Sequence, residues 1–289
     1  MKSRLFCLFF CFIASPWLTE AQIANNFSSD RPGLANTPLV VGKHYLQMQF
    51  GGSFGHYGIL PRNNAYQPTQ DRQGDYFFRF GLNRRTELDL GFSLLSTQGL
   101  DPNLIRFGYT PFPQRFSHPT RFDSFRAGLR HTFFTEAERD FSLGILLLGT
   151  VDFNPTPGPA NAYGYVFGLL GAKQIGSRIS ATGNIGLQHQ NSFVGPEFFY
   201  VVNFAFDLGN NLGVFVETKN ESVLIDRPDL VQWFNGGLYW KLTPNFMLDL
   251  HGGNQRLVSN RLYSESYWYA ALGLSWKIKA IATKKPVTP

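Results

Sequence analysis

The sequence predicts an all-β fold: an antiparallel transmembrane β-barrel of about 12 strands, with short periplasmic turns and long external loops. Three observations support this prediction. Residues 42–277 alternate apolar and polar side chains in short runs, the connections between the runs alternate long and short, and charged residues are scarce. Because a strand points successive side chains to opposite faces, such runs fit a sheet with an apolar outside and a polar inside.

The composition favours a barrel over a helical membrane protein. Charged residues make up 16% of the chain, well below the usual ~25%. Aromatic residues also reach 16%, with 29 Phe and 29 Gly. The mean hydropathy of -0.15 is nevertheless too low for a bundle of membrane helices. A barrel wall combines these properties because only alternate residues face lipid.

The N-terminus has the form of a secretory signal peptide, residues 1–21. Lys2 and Arg4 precede an apolar stretch, and cleavage is expected after Ala21. The alternative is an uncleaved anchor helix, but the stretch is short for ~30 Å of hydrocarbon. Cys7 and Cys11 both lie in this signal, so the mature chain is expected to form no disulfide and no thiolate metal site.

The first three strands are predicted at 42–52, 75–82 and 85–94. In the first, Leu46, Met48 and Phe50 alternate with polar residues. The second and third form the clearest hairpin, because Asn83-Arg84 separates two strictly alternating runs. Their apolar face carries Phe78, Phe80, Leu88, Leu90 and Phe92.

The middle strands are predicted at 123–133, 140–151, 163–174 and 178–188. The first of these sets Phe125, Ala127 and Leu129 against polar neighbours, and the last alternates as regularly. The strands at 140–151 and 163–174 are ambiguous because both of their faces are partly apolar.

The remaining strands are predicted at 197–207, 212–219, 231–242, 246–252 and 265–277. Three aromatic residues fall beside predicted periplasmic ends, as in an interfacial aromatic girdle: Trp240, Phe246 and Trp276. The last strand resembles the C-terminal signal read by the barrel-assembly machinery, although about a dozen residues follow it.

The connections place both termini in the periplasm. Those after even-numbered strands are short and those after odd-numbered strands are longer, as in bacterial barrels. Closure is required because hydrocarbon leaves no water to pair the backbone groups of an edge strand. The chain is therefore expected in the bacterial outer membrane, with the lipid bilayer, lipopolysaccharide and the assembly machinery as partners.

Polar residues on the inner faces are the candidate lumen lining. The alternation assigns to this set Arg79, Arg85, Glu87, Asp89, Arg126, Arg130, Asn184, Asn203, Asp207, Glu217 and Asp249. Buried charges must be paired or hydrated. These groups therefore either cross-link the barrel wall or form a polar constriction that sorts solutes by size and charge.

No residue pattern indicates a specific catalytic or metal site, and neither a cofactor nor enzymatic activity is expected. The six histidines are scattered without ligand spacing. One alternative is a barrel lipid hydrolase, in which His189 and Ser192 would act near an external rim. Another is a structural or adhesive barrel whose external loops, above all 95–122, bind a partner.

The regions outside the barrel are an N-terminal periplasmic segment, 22–41, and a disordered basic tail, 278–289. The formal net charge is +6, but the basic residues cluster only towards the tail, so nucleic acid is not an expected partner. A small-molecule solute is expected instead.

The N-terminal segment carries a family resemblance. It reads Asn26-Phe27-Ser28-Ser29-Asp30-Arg31-Pro32-Gly33-Leu34 and is followed by the strand Tyr45 to Gly51. This stretch resembles the outer-membrane family labelled "MetA-pathway of phenol degradation", in which a Thr/Ser-Asp-Arg-Pro motif precedes the first strand. The resemblance implies a transporter barrel for small, aromatic or hydrophobic solutes. It implies no functional residues beyond Asp30, Arg31 and Pro32.

The motif also suggests a position for the segment. Pro32 biases Arg31 towards an extended conformation. We expect residues 27–34 to fold against the periplasmic mouth, with Arg31 reaching an inward carboxylate such as Glu87.

Overall fold

The computed structural model describes residues 29–30, 33–59, 69–100, 115–153, 162–189, 195–224, 230–258 and 265–280. No helix in these ranges has the length and apolar character needed to cross a membrane. They form twelve β-strands: β1 (Tyr45–Ile59), β2 (Thr69–Gly81), β3 (Thr86–Leu100), β4 (Arg115–Phe134), β5 (Ser142–Asp152), β6 (Ala162–Ile175), β7 (Ile179–His189), β8 (Glu197–Gly209), β9 (Leu212–Val223), β10 (Leu230–Thr243), β11 (Phe246–Val258) and β12 (Glu265–Lys279).

The strands form one closed antiparallel barrel. Each strand pairs with its sequence neighbours, and β1 pairs with β12 from Tyr45↔Lys279 to Ile59↔Glu265. Closure pairs both edges of the sheet and leaves no open edge strand. The predicted all-β barrel of twelve strands is therefore confirmed.

One end of the barrel, the short-turn end, carries the tight connections, and the other is the long-loop end. At the short-turn end the strands are joined by residues 82–85, 135–141, 176–178, 210–211 and 244–245. At the long-loop end several strands run further than the alternation predicted; β2, for example, begins at Thr69 rather than at residue 75. There the sequence Thr-Gln-Asp-Arg-Gln-Gly is polar on both faces. The backbone of β2 therefore continues to pair in a stretch where apolar and polar side chains do not alternate.

The two faces of the wall differ in polarity. Leu250, Leu272 and Trp276 point outwards, and 54%, 63% and 47% of their surface is exposed. Inward polar residues are buried instead, among them Arg79, Glu87 and Arg130, whose exposure is 0%. An apolar outside around a polar inside is the inverse of a water-soluble protein and suits a lipid surrounding.

The two ambiguous strands, β5 and β6, have an apolar inner face as well. Leu146, Leu148 and Leu170 are buried inside the barrel, with Val166 packed against them. The lumen is therefore polar on most of its wall and apolar along this stripe.

Candidate functional site

A stretch of chain lies inside the barrel. The described residues 29–30 and 33–44, which we call the lumen segment, precede β1 and fold back from it into the lumen. Gly42 and His44 have positive φ angles of 91° and 66°, and the Tyr45 amide donates to the Gly42 carbonyl. Gly81 on β2 approaches so closely that a Cβ there would overlap the Gly42 carbonyl. A glycine at 81 therefore allows the segment to turn inwards beside the wall.

One wall of the lumen anchors the segment through charge. Arg130 on β4 forms a two-pronged ion pair with Asp30, with both N–O distances 2.7 Å. The same guanidinium contacts Asp89 at 2.9 Å, and Arg79 Nε donates to Glu87 at 2.7 Å. Because opposite charges lie at hydrogen-bond distance, the ion pairs offset part of the cost of burying this cluster.

The charge of Asp30 is fixed by its neighbours. Burial alone would raise the pKa of the Asp30 carboxyl, but the guanidinium groups of Arg130 and Arg79 lower that pKa from 3.8 to about 2. Asp30 is therefore ionised at neutral pH and remains an anion facing two buried cations.

The same wall also binds the backbone of the segment. Arg130 donates to the Thr37 carbonyl at 2.7 Å, Thr132 to the Pro38 carbonyl at 2.6 Å and Arg79 to the Leu39 carbonyl at 2.5 Å. Glu87 accepts the Val41 amide at 2.7 Å. Buried backbone groups outside regular structure need such partners. These wall residues therefore supply hydrogen-bond partners for an irregular chain inside the barrel.

The opposite wall holds the tip of the segment. Glu217 on β9 accepts the Leu34 amide at 2.6 Å and the Ala35 amide at 2.7 Å. Asn184 on β7 accepts from the Asn36 amide at 2.6 Å and donates to the Asn36 carbonyl at 2.7 Å. Since residues 37–41 lie on the β2–β4 wall and residues 34–36 on the β7–β9 wall, the segment crosses the lumen.

Two asparagines orient the carboxylate that receives the tip. Asn235 on β10 donates to Glu217 Oε1 at 3.0 Å, and Asn203 on β8 donates to Oε2 at 3.3 Å. Ala35 also packs in a buried cluster with Phe199 and Val201. The tip is thus held by a pre-oriented anion and by an apolar contact.

Gly33 is the residue of the segment least able to carry a side chain. Its φ is +107°, and a Cβ there would lie 2.8 Å from Glu217 Oε2. We expect Gly33→Ala to weaken docking of the tip by about 1–3 kcal/mol. Hydrogen exchange of the Leu34 and Ala35 amides, followed by mass spectrometry, should then be faster. Gly52→Ala, where a Cβ meets nothing within 4 Å, is the control. Unchanged protection in the Gly33 variant would contradict the docking geometry.

The structure brings together most of the sequence-predicted lumen residues. Arg79, Glu87, Asp89 and Arg130 form the anchoring cluster, and Asn184, Asn203 and Glu217 form the tip site. Two more face the lumen away from the segment. Arg126 stacks over the Phe77 ring at 5.0 Å, and Asp249 contacts His251 at 3.1 Å.

Two predicted lumen residues lie at the rim of the short-turn end instead. Arg85 precedes β3, is partly exposed and pairs with Glu138 at 2.6 Å. Asp207 is exposed, and it accepts the Gly209 amide at 2.8 Å within the β8–β9 turn. Both continue the inward alternation of their strands, but they lie beside tight turns, where the wall ends.

The segment's own role was only partly foreseen. Residues 27–34 are expected to fold against the periplasmic mouth, and within this stretch Leu34 lies inside the barrel against Glu217. Arg31 and Pro32 lie outside the described residues, so the proposed Arg31–Glu87 contact stays a prediction. The sequence reasoning also missed Thr132, and no signal distinguished this threonine from the other polar residues of β4.

A cavity of about 300 Å³ remains beside the segment. Its lining includes Ala35 and Leu39 of the segment and Lys173, Tyr239 and Lys241 of the wall. The segment therefore leaves open space inside the short-turn end of the barrel.

No metal cluster and no catalytic constellation emerges from the described residues. No group of three or more His, Cys, Asp or Glu side chains among them could hold a metal ion. His189 faces outwards beside Tyr165, with ring centroids 5.9 Å apart. Ser192, its partner in the lipid-hydrolase alternative, lies outside the described residues.

The fold is similar to that of solved outer-membrane channels. The COG4313 outer membrane channel from Pseudomonas putida F1 matches 87% of this chain and 100% of its own, with a TM-score of 0.55 and 10% identity. The CymD monoaromatic hydrocarbon channel matches 82% and 89%, with a TM-score of 0.46 and 9% identity. The P. putida toluene transporter TodX matches 90% and 100%, with a TM-score of 0.44 and 8% identity.

These similarities concern structure alone. No protein-family model matches the chain, and no curated protein matches it in sequence. At 10% identity, the first of these matches shows a shared barrel architecture.

Proposed function

We propose that this protein is an outer-membrane channel for the passive passage of small solutes, and that its lumen segment controls the aperture. The observation that carries the proposal is the segment itself, which crosses a closed barrel and is held on both walls by hydrogen bonds. In hydrocarbon a closed wall satisfies its own backbone, so the lumen is the available polar route. Whatever passes must use the space that the segment leaves or releases.

The inner surface favours solutes with an apolar part. Leu146, Leu148 and Leu170 form a buried stripe on β5 and β6, and Phe199 and Val201 lie on the inner face of β8. These side chains are buried against one another and, on β8, against Ala35 of the segment. Displacement of the segment would expose an apolar wall, which favours small hydrophobic or aromatic compounds over sugars and ions. This class agrees with the one implied by the family resemblance.

The proposed location follows from the outer surface and the N-terminus. Trp276 and Trp240 point outwards towards the short-turn end, and Trp268 points outwards eight residues before Trp276 on β12. Aromatic residues at the two borders of an apolar band are typical of barrels in a bilayer. With residues 1–21 as a cleaved signal, the short-turn end would face the periplasm.

A cysteine pair tests whether the segment controls passage. Ala35→Cys with Val201→Cys places thiols in one buried cluster, and the mature chain carries no other cysteine. In proteoliposomes we expect the wild type to take up small aromatic solutes faster than protein-free liposomes do. The oxidised double variant should be slower, and reduction should restore the wild-type rate.

The single variants Ala35→Cys and Val201→Cys control for the substitutions themselves, and a mass shift confirms the cross-link. Wild-type uptake no faster than in protein-free liposomes would refute the channel. Uptake at the wild-type rate through fully cross-linked protein would refute control of passage by the segment and would leave the channel itself standing.

A further inference from the structure

The outer wall has a groove where the first and last strands meet. It has a volume of about 220 Å³ and lies across β11, β12, β1 and β2. We call it the seam groove; its outward-facing lining consists of Phe50, Gly52, Tyr76, Leu248, Leu272 and Leu274. The lining is apolar, so the groove is suited to a hydrocarbon chain.

Small outward residues create this depression. Gly52 pairs with Gly74 on one side and with Leu272 on the other, and a Cβ at Gly52 would meet no atom within 4 Å. Towards the long-loop end, Gly252 pairs with Ala270. The larger rings of Phe50 and Tyr76 stand beside it, 5.8 Å apart. The wall is therefore locally thin between bulky apolar side chains.

Positive charge lies beyond the groove on the same strands, towards the long-loop end. Arg72 on β2 is exposed, and its backbone is paired with Phe54. Arg256 on β11 is exposed, and its Nε donates to Asn254 Oδ1 at 3.0 Å. Asn254 is fixed in turn, because its Nδ2 donates to the Tyr267 carbonyl at 3.1 Å. Arg256 is thus held in place on the outer surface.

No acidic side chain is described on the outer face of β11, β12, β1 and β2 towards the long-loop end. Among the outward side chains that the structure describes on β11, β12, β1 and β2, the ionisable ones towards the long-loop end are Arg72, Arg256 and His56. Trp268 pairs with His56 and is 58% exposed. Exposed cations beside a bulky indole above an apolar groove suit the border between headgroups and acyl chains.

We propose that the seam groove and these cations form a binding site for lipid A, the phosphorylated glycolipid of the outer leaflet. An acyl chain occupies the groove, and the phosphates contact Arg72 and Arg256. The site rests on the proposed outer-membrane location, with the long-loop end external. β12 and β1 separate the two arginines, which suits two phosphates at opposite ends of a disaccharide better than one phospholipid headgroup. Arginine is suited to phosphate because it donates several hydrogen bonds in one plane.

Native mass spectrometry of the purified full barrel in detergent can test this site. The probes are bisphosphorylated lipid A, dephosphorylated lipid A and phosphatidylglycerol. A Cβ at residue 52 meets no atom within 4 Å, so Gly52→Leu should fill the groove and weaken lipid A binding severalfold. Arg72→Gln with Arg256→Gln should weaken it about tenfold or more and remove the preference over dephosphorylated lipid A.

Matched controls separate the site from general effects. Gly149→Leu adds the same side chain to an outward glycine of β5, where the nearest atom to a Cβ is 3.8 Å away. Arg139→Gln removes an exposed cation at the short-turn end. Both controls should bind lipid A like the wild type. Heat-modifiable migration on gels confirms that each variant is folded.

Several results would overturn the inference. These are equal binding by the Gly52 and Gly149 variants, wild-type affinity in the arginine variant, or no preference of the wild type for lipid A over phosphatidylglycerol. Protein dimers that Gly52→Leu dissociates would assign the groove to a second copy instead. Solute uptake is measured in parallel and should not change in these variants. Loss of lipid A binding with normal uptake would therefore leave the channel proposal standing.

Discussion

Deletion of residues 22–41 should raise single-channel conductance in planar bilayers severalfold. The lumen of a twelve-stranded barrel is narrow, so any chain that crosses it occupies much of its cross-section. Removal of the segment takes away a chain fixed at Asp30, Ala35 and Val41. The effect should be large because the segment reaches both walls rather than lining one of them.

The barrel should remain folded in the deletion variant, because the charges left behind keep partners on the wall. Arg79 still pairs with Glu87 and Arg130 with Asp89, while Glu217 keeps the amide groups of Asn203 and Asn235. Barrel folding is checked by heat-modifiable migration on gels and by circular dichroism.

Glu217→Gln provides a milder companion to the deletion. It keeps the size of the side chain but replaces one acceptor oxygen by an amide that cannot accept from a backbone N–H. The tip should then detach intermittently, so the current should show brief openings of the size seen after the deletion. A deletion variant with wild-type conductance would mean that the segment is not the constriction.

Side-chain alternation was sufficient to predict the wall of this protein. Regular hairpins such as β2–β3 place Arg79, Glu87 and Asp89 inwards because a strand has a period of two. Closure then follows from the need to pair backbone groups in hydrocarbon. The start of β2 was missed because residues 69–74 are polar on both faces.

The contacts inside the lumen could not be predicted in the same way. Asp30 meets Arg130 across 100 residues of sequence, and Asn36 meets Asn184 across 148. Local periodicity carries no information about such pairs. The resemblance did indicate the right stretch of chain, but Asp30 makes the described contact with the buried arginines.

The apolar inner face of β5 shows a second limit. Leu146 and Leu148 interrupt the alternation of apolar and polar residues. A residue inside a barrel can be apolar because other side chains in the lumen can pack against it and shield it from water. Apolar residues are therefore possible on both faces of such a strand, and periodicity alone cannot separate the lumen from the lipid side.

Arg130→Ala should destabilise the barrel far more than Arg126→Ala does. Arg130 is fully buried and contacts three carboxylates, those of Asp30, Glu87 and Asp89. Its removal leaves an excess of negative charge in a buried site, which costs on the order of 3–5 kcal/mol. Arg126 lies two alternate positions away on the same face of β4 and stacks on Phe77, an interaction worth about 0.5–1 kcal/mol.

Urea unfolding of each variant in lipid vesicles, followed by tryptophan fluorescence, measures this difference. Equal losses of unfolding free energy in the two variants would mean that the cluster around Arg130 is hydrated and contributes little to stability. Arg130→Ala combined with Asp89→Asn separates charge from packing, because it removes the cation and one of the anions that the cation neutralises. Part of the lost stability should return in that double variant. If none returns, the contribution of Arg130 lies in its hydrogen bonds to Asp30 and Thr37 rather than in charge balance.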